Sequence, residues 1–184
     1  MRWLKSRLSP SASTIIDRVG ASRVWKGQLV HIHIAESASY EMEELEQAEL
    51  IAGKGIVGDR YFTGTGTYSP KPDVREVTLI EIEALEAMAR GDPPFPGVQV
   101  TLRPIEHRRN LTTRGVPLNH LVGKRFRVGD VVLRGFKLAE PCTYLEGLTR
   151  PGVRRALVHR AGLRAEIVEG GTISVGDPVE VVEA

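Results

Sequence analysis

The sequence predicts a mainly β protein with a few helices (an α+β fold), arranged as a closed or nearly closed antiparallel β-barrel. Short apolar and β-branched runs recur through most of the chain, and glycines and prolines separate them. Only two segments beyond the N-terminal arm are predicted to be helical. At 184 residues and 41% hydrophobic content, the chain is long enough for one full core, so a single domain is favoured.

Residues 1–22 are rich in serine and are predicted to form an N-terminal arm, which leaves residues 23–184 as the domain. The first predicted strand, residues 28–34, alternates in polarity and presents one face to the core. His31 and His33 share the opposite face and are two residues apart, which could suggest a metal pair. No third ligand is evident nearby, and a solvated strand face is the favoured interpretation.

A glycine-rich turn is predicted at Gly53, Gly55 and Gly58, just before Asp59 and Arg60. Glycines let backbone N–H groups approach an anion closely. The spacing matches neither a Walker loop nor a dinucleotide-binding fingerprint, so as a phosphate site the turn alone is a weak signal.

The middle of the chain combines strands with one helix. Residues 77–80 predict a short strand, residues 81–90 a helix that ends at Gly91, and residues 98–138 three strands joined by short turns.

The C-terminal part predicts a second helix over residues 151–160, with Pro151 near its start. Residues 163–169 and 172–182 then predict a closing hairpin over the glycine pair between them.

Cys142 is the only cysteine, and it follows the last strand of the middle region, one residue after Pro141. Loops held by strands often display binding or catalytic side chains. From the residue type alone, Cys142 is more often a small buried hydrophobe. A single cysteine excludes an intrachain disulfide, an iron–sulfur cluster and a multi-cysteine zinc site built by this chain.

Charge is distributed unevenly along the chain. Residues 36–100 carry 13 acids against 5 lysines and arginines, whereas residues 101–164 carry 14 lysines and arginines against 4 acids. A basic surface suits nucleic acid or a phosphorylated small molecule, because arginine binds phosphate in a bidentate manner. A solvated charged face is the simpler alternative.

Six segments, taken in order, resemble the MOSC domain family, and the similarity extends over about residues 24 to 183. The segments are residues 55–61, 75–80, 108–116, 121–130, 140–142 and 170–179. MOSC domains are the molybdenum-cofactor-binding modules of cofactor sulfurases, amidoxime reductases and hydroxylaminopurine-reducing proteins. Their barrel resembles the small barrel domain of pyruvate kinase.

The resemblance implies that Cys142 binds the molybdenum of the pterin cofactor (molybdopterin) or takes up sulfur as a persulfide. It places Arg75 and Arg109 at the cofactor phosphate, and Asn110 within hydrogen-bonding reach of the pterin or an oxo ligand. The implied cofactor-binding residues are Asp59, Arg60, Arg75, Arg109 and Asn110.

The favoured function is that of a small stand-alone MOSC protein that reduces N-hydroxylated compounds such as amidoximes and N-hydroxylated purines. The sequence shows no electron-transfer domain and no pyridoxal-phosphate-binding desulfurase domain, so a separate electron-transfer protein or sulfur donor is expected. The alternative is a non-catalytic cofactor carrier or a sulfur-transfer module that uses a Cys142 persulfide.

Two other classes of function are less favoured. Nucleic-acid binding is not expected, because few aromatic residues lie among the arginines: Phe126, Phe136 and Tyr144. Cys–His hydrolysis would need a base such as His107, His120 or His159, and no sequence context singles one out.

No apolar run is long enough for a signal peptide or a membrane span, so the protein is expected to be cytoplasmic and soluble, without a membrane partner. A homodimer is possible, with the N-terminal arm docked on the body or on a second subunit.

Overall fold

The computed structural model describes residues 25–69, 76–92, 97 and 99–182. The predicted N-terminal arm and Arg75 lie outside the described residues. In chain order the strands are β1 (Lys26–Ile34), β2 (Glu43–Leu45), β3 (Gln47–Ile51), β4 (Gly55–Ile56), β5 (Val77–Glu81), β6 (Leu111–Arg114), β7 (Arg125–Val128), β8 (Val131–Leu138), β9 (Leu163–Glu169), β10 (Gly171–Ser174) and β11 (Pro178–Val181). The α-helices are α1 (Ile82–Arg90), α2 (Thr143–Leu148) and α3 (Val153–Ala156), and two 3₁₀-helices lie at Pro104–Glu106 and Leu118–Leu121.

Seven strands close into a barrel in the order β1-β6-β5-β9-β8-β7-β11, and β11 pairs with β1 to complete it. The predicted barrel is therefore confirmed, but it is mixed rather than purely antiparallel. The pair of β5 and β6 is parallel, with Leu79 opposite Leu111. The segment between these two strands contains α1 and is long enough for the crossover that a parallel pair requires.

β1 is predicted correctly as a strand, but its faces are not. The pairing register shifts between Leu29 and His31, and this bulge turns both Leu29 and Ile32 into the barrel core. His33 is fully buried on the outside of the barrel, where its ring packs edge-on against His107 with 5.6 Å between ring centroids. The predicted solvated face is therefore wrong for His33.

A second sheet, ordered β10-β3-β4, packs beside the barrel. The predicted closing hairpin is wrong, because β10 pairs with β3, whereas β9 pairs with β5 and β8. The reason is the close approach at Gly170, where a Cβ atom would lie 2.5 Å from the carbonyl oxygen of Leu50. The glycine at position 170 thus allows the chain to pass close to β3, so that β10 pairs with β3 instead of forming a hairpin with β9.

The helices agree with the sequence only in part. α1 is confirmed, and Gly91 ends it in a left-handed conformation with φ of 73°. α3 is a single turn, shorter than predicted, because His159 adopts a φ of 60° and its N–H donates to the Glu140 carboxylate instead of continuing the helix. α2 was not predicted.

Within the described part of the chain, no helix has the length and apolar character needed to span a membrane.

Candidate functional site

Cys142 lies shortly after the end of β8, at the surface of the barrel. Cys142 has an extended backbone (φ −133°, ψ 169°) and is the residue immediately before α2. Its side chain is partly exposed and packs on one side against the apolar cluster beneath α2. Cys142 is therefore neither enclosed by aliphatic side chains nor fully solvated.

Cys142 lines a cavity of about 360 Å³, within the range of roughly 300–1,000 Å³ that small-molecule sites occupy. The lining residues are Arg60, Tyr61, Tyr68, Thr78, Arg108, Arg109, Lys137, Ala139, Glu140, Cys142 and Arg164. Five of these side chains are cationic, and Glu140 is the one carboxylate in this described lining. The lining therefore has an excess of positive charge, and both oxygens of Glu140 are already bound by His159.

The thiol of Cys142 has an environment that favours the thiolate. Partial burial alone would raise its pKa, but the Tyr68 hydroxyl, 3.5 Å from Sγ, the nearby N–H groups of Leu145 and Tyr144, and the charge of Arg109 together lower the pKa below its usual value. The same contact raises the pKa of Tyr68 to about 12. Tyr68 therefore stays protonated and can donate a hydrogen bond to the thiolate.

Arg109 is fixed beside Cys142 by two backbone carbonyl groups. Its Nε atom donates to the Ala161 oxygen at 3.0 Å, and its Nη2 atom donates to the Ala139 oxygen at 2.7 Å. Burial, followed by repulsion from Arg164, lowers the pKa of Arg109 to about 10. The guanidinium is still charged at neutral pH, and the repulsion would be relieved by a bound anion.

Arg60 follows the glycine-rich turn, lines the cavity and forms a buried ion pair with Asp59. Its Nη1 atom lies 2.9 Å from Oδ1 of Asp59, and both side chains are buried. The Nη2 atom of Arg60 donates to the carbonyl oxygen of Arg108 at 3.1 Å. The pair thus joins the turn to the segment that carries Arg108 and Arg109.

Asp59 and Asn110 lie beneath the cavity and are not part of its lining. The amide nitrogen of Asn110 donates to Asp59 and to the His33 carbonyl oxygen, and its amide oxygen accepts from the backbone N–H and hydroxyl of Thr78. These contacts support the floor of the cavity. Direct contact of Asp59 or Asn110 with a cofactor remains a prediction.

Arg108 lines the cavity but is not among the site residues predicted from the sequence. It has a φ of 65°, an uncommon value for a residue other than glycine, and its Nη1 atom donates to the Tyr40 carbonyl oxygen. Burial, together with the charge of Arg60, lowers the pKa of Arg108. The only indication of Arg108 in the sequence is its position next to Arg109. Tyr68, Lys137 and Arg164 were also missed.

No histidine lines this cavity among the residues that the structure describes. His107 is buried, and its ring binds the hydroxyl of Thr112 and the backbone N–H of Arg109. His159 is paired with Glu140. The geometry therefore gives no support to a Cys–His hydrolase centre.

Comparison with known proteins identifies one matching family model and several similar folds. Residues 71–180 match the model of the MOSC domain. The fold is similar to those of YuaD from Bacillus subtilis (20% identity, TM-score 0.68, 85% of this chain and 97% of that chain) and YiiM from Geobacillus stearothermophilus (13% identity, TM-score 0.63, 85% and 75%). It is also similar to YiiM from Escherichia coli (18% identity, TM-score 0.60, 85% and 70%). A comparison with curated proteins gave no match.

Proposed function

Because the chain belongs to the MOSC domain family, which is associated with molybdenum cofactor binding, we propose that its cavity binds the molybdenum cofactor and that Cys142 supplies a ligand to the metal. The supporting observation is the thiol of lowered pKa beside five cationic side chains, with a single carboxylate whose oxygens are bound elsewhere. A thiolate is a suitable soft ligand, and arginines suit a phosphate.

Different residues of the cavity have different roles in binding the cofactor. Arg109 and the neighbouring Arg164 attract the cofactor phosphate, while Tyr68 holds the sulfur of Cys142 in its anionic form. Arg60 is held by Asp59, and Arg109 is held by two backbone carbonyl groups, so these two guanidinium groups are positioned before any ligand binds. When bound, the cofactor would supply the redox chemistry, as cofactors generally do.

The reaction that we propose is the reduction of N-hydroxylated compounds, such as amidoximes and N-hydroxylated purines. The N–O bond breaks, two electrons come from a separate electron-transfer protein, two protons come from solvent, and water leaves with the reduced nitrogen compound as the other product. Partial exposure of Cys142 leaves the centre accessible to a small substrate.

A second candidate rests on the same thiolate. A partly exposed cysteine with a lowered pKa can also attack the outer sulfur of a donor protein's persulfide; the donor's S–S bond breaks, the donor leaves as a thiolate, and Cys142 holds the transferred sulfur as a persulfide. In that case the chain is a cofactor carrier or a sulfur-transfer module, and it binds the cofactor without turning over N-hydroxylated substrates.

The test is to purify the protein from a host that synthesises the cofactor and to measure molybdenum content, pterin fluorescence and benzamidoxime reduction with a chemical reductant. We expect wild type to contain molybdenum and to reduce benzamidoxime, and Cys142→Ser to lose activity. Protein from a host strain that lacks cofactor synthesis is the control. Bound molybdenum without turnover, together with a mass increase of one sulfur atom on Cys142, would support the carrier. Absence of both metal and pterin in wild type would reject both candidates.

A further inference from the structure

A cluster of two histidines and one glutamate lies on the outer face of the barrel, where β1 pairs with β2. The antiparallel register places Glu44 directly opposite His33, and His31 lies two residues before His33 on the same face. One potential ligand atom from each of the three residues lies within 4.8 Å of the other two. The strand pairing itself therefore brings three metal-ligating side chains together.

Within this cluster, the buried ring of His33 has no hydrogen-bonding partner in the described structure. Its side chain is fully buried, yet neither ring nitrogen has a hydrogen-bonding partner among the residues that the structure describes. Buried polar groups are normally hydrogen-bonded, because an unpaired one costs free energy. The nearest carboxylate oxygen, on Glu44, lies 4.0 Å from Nε2, too far for a hydrogen bond but at a distance that a shared ion can bridge.

An ion pair alone does not account for the cluster. His31 and Glu44 are 2.6 Å apart, which explains those two residues but leaves His33 unpaired. The chain has a comparable exposed pair in His159 and Glu140, at 2.9 Å, and no third ligand accompanies it in the described structure. The two unpaired ring nitrogens of buried His33 distinguish the cluster on β1 and β2 from such a pair.

We propose that His31, His33 and Glu44 bind a divalent transition-metal ion of the Zn²⁺ class. Two imidazoles and one carboxylate suit zinc and related metals, whereas magnesium and calcium prefer oxygen ligands. With metal–ligand bonds of about 2.0–2.2 Å around a tetrahedral ion, the 2.6 Å contact between His31 and Glu44 would lengthen and the 4.0 Å gap between His33 and Glu44 would shorten. The Glu44 side chain is 50% exposed and has the freedom to make that movement.

The proposed metal site is separate from the cofactor site, because none of its three ligands lines the cavity that contains Cys142. The two are connected through the protein: the backbone oxygen of His33 accepts a hydrogen bond from Asn110, which in turn contacts Asp59. An ion between β1 and β2 would thus fasten the strands behind the floor of the cavity. With three protein ligands and a partly exposed His31, a water molecule can complete the coordination.

The test uses tag-free full-length protein, stripped with a chelator, in the Cys142→Ser background so that the thiol cannot bind the ion. Zn²⁺ is titrated by calorimetry, and Co²⁺ is titrated by its visible absorption as an independent probe of coordination. We expect one Zn²⁺ per chain. Replacement of a ligand by His31→Gln or Glu44→Gln should weaken binding by more than about 100-fold, because loss of an outer-shell partner alone already costs about 10–100-fold.

Glu43→Gln and His120→Gln are the matched controls, because they change an exposed glutamate of β2 and an exposed histidine outside the cluster. Both should bind Zn²⁺ as the parent does. His31 and Glu44 are partly exposed, so their variants are expected to fold, and circular dichroism checks this directly. Absence of Zn²⁺ binding, or equal affinity in the parent and in the two ligand variants, would overturn the proposal. Neither outcome would affect the role of Cys142.

Discussion

The hydroxyl oxygen of Tyr68 lies 3.5 Å from the sulfur of Cys142, and this contact links the pKa values of the two groups in opposite directions. Replacement of the tyrosine by phenylalanine removes the hydrogen bond and leaves the ring. We expect Tyr68→Phe to raise the pKa of Cys142, because the thiolate loses a donor. Since Cys142 is the only cysteine, its alkylation rate by iodoacetamide as a function of pH reports this pKa directly.

Tyr144→Phe is the matched control for that experiment. Tyr144 packs edge-on against Tyr68, and its hydroxyl contacts Ser39 and Thr67 instead of the sulfur. Its alkylation profile should stay close to that of wild type. An unchanged profile in Tyr68→Phe would mean that the hydroxyl does not stabilise the thiolate.

The buried ion pair of Asp59 and Arg60 predicts a large effect on stability. Asp59→Asn leaves the Arg60 guanidinium buried without its counterion, and breaking such a pair costs about 3–5 kcal/mol. The measurement is the free energy of unfolding in urea. Glu86→Gln, which breaks the exposed pair with Arg114, should change it little. Equal effects of the two substitutions would show that burial of the Asp59 pair is unimportant.

Arg109 predicts how the proposed cofactor is retained. We expect Arg109→Ala to lower molybdenum and pterin content, and a salt wash to deplete the variant further than wild type. A charge-assisted pair in a partly desolvated cavity is worth about 1.5–3 kcal/mol, above the roughly 0–1 kcal/mol of an exposed pair. Arg127→Ala, an exposed arginine of β7, is the control and should retain the cofactor as wild type does.

A titration with random duplex DNA tests the other explanation of the basic residues. Duplex binding spreads contacts over many cations and depends steeply on salt, so each single substitution would have a minor effect. We expect no binding of the duplex at physiological salt. Tight, salt-dependent binding to DNA, with cofactor retention unchanged in Arg109→Ala, would assign the basic residues to nucleic acid.

The buried ring of His33 predicts a loss of stability in mild acid when metal is removed. Burial lowers its pKa from 6.5 to about 4; the charge of Glu44 partly opposes this, and His31 lowers the pKa further. The neutral ring is favoured in the folded protein, so its contribution is complete above pH 6.5. It is lost as the pH falls towards 4, by up to about 3 kcal/mol.

The measurement is urea unfolding in EDTA at several pH values between 7 and 4. His33→Gln should flatten the pH dependence, whereas His120→Gln should leave it unchanged. His107, whose pKa burial also lowers, contributes a remaining slope of the same sign in every variant. A slope that is the same with and without His33 would contradict the assignment.

Much of the fold was predictable because it depends on local patterns. Residues 28–34 alternate in polarity, residues 77–80 form an apolar run, and α1 shows helical periodicity with a glycine at its end. α2 was not predictable from such patterns. It contains threonine, tyrosine and glycine, and its Glu146 carboxylate accepts from the N–H groups of Gly152 and Arg154, which lie beyond the end of the helix.

The candidate site was predictable where one residue type had few alternatives. The single cysteine directed attention to Cys142, and the arginines of the glycine turn and of the segment before β6 do converge on it. Tyr68, Lys137 and Arg164 come from separate parts of the chain, and only the closed barrel brings them together. The pairing of His31 and His33 with Glu44 was also hidden, because it depends on the register between β1 and β2.

Closure of the barrel has a consequence for synthesis of the protein. Lys26 of β1 pairs with Glu180 of β11, so the first and last barrel strands are neighbours in space. During translation, β1 leaves the ribosome long before its partner on that side exists, and contacts of such high sequence separation form slowly. The nascent chain therefore carries an unpaired edge of β1 until β11 is made, and such an edge can pair with another chain.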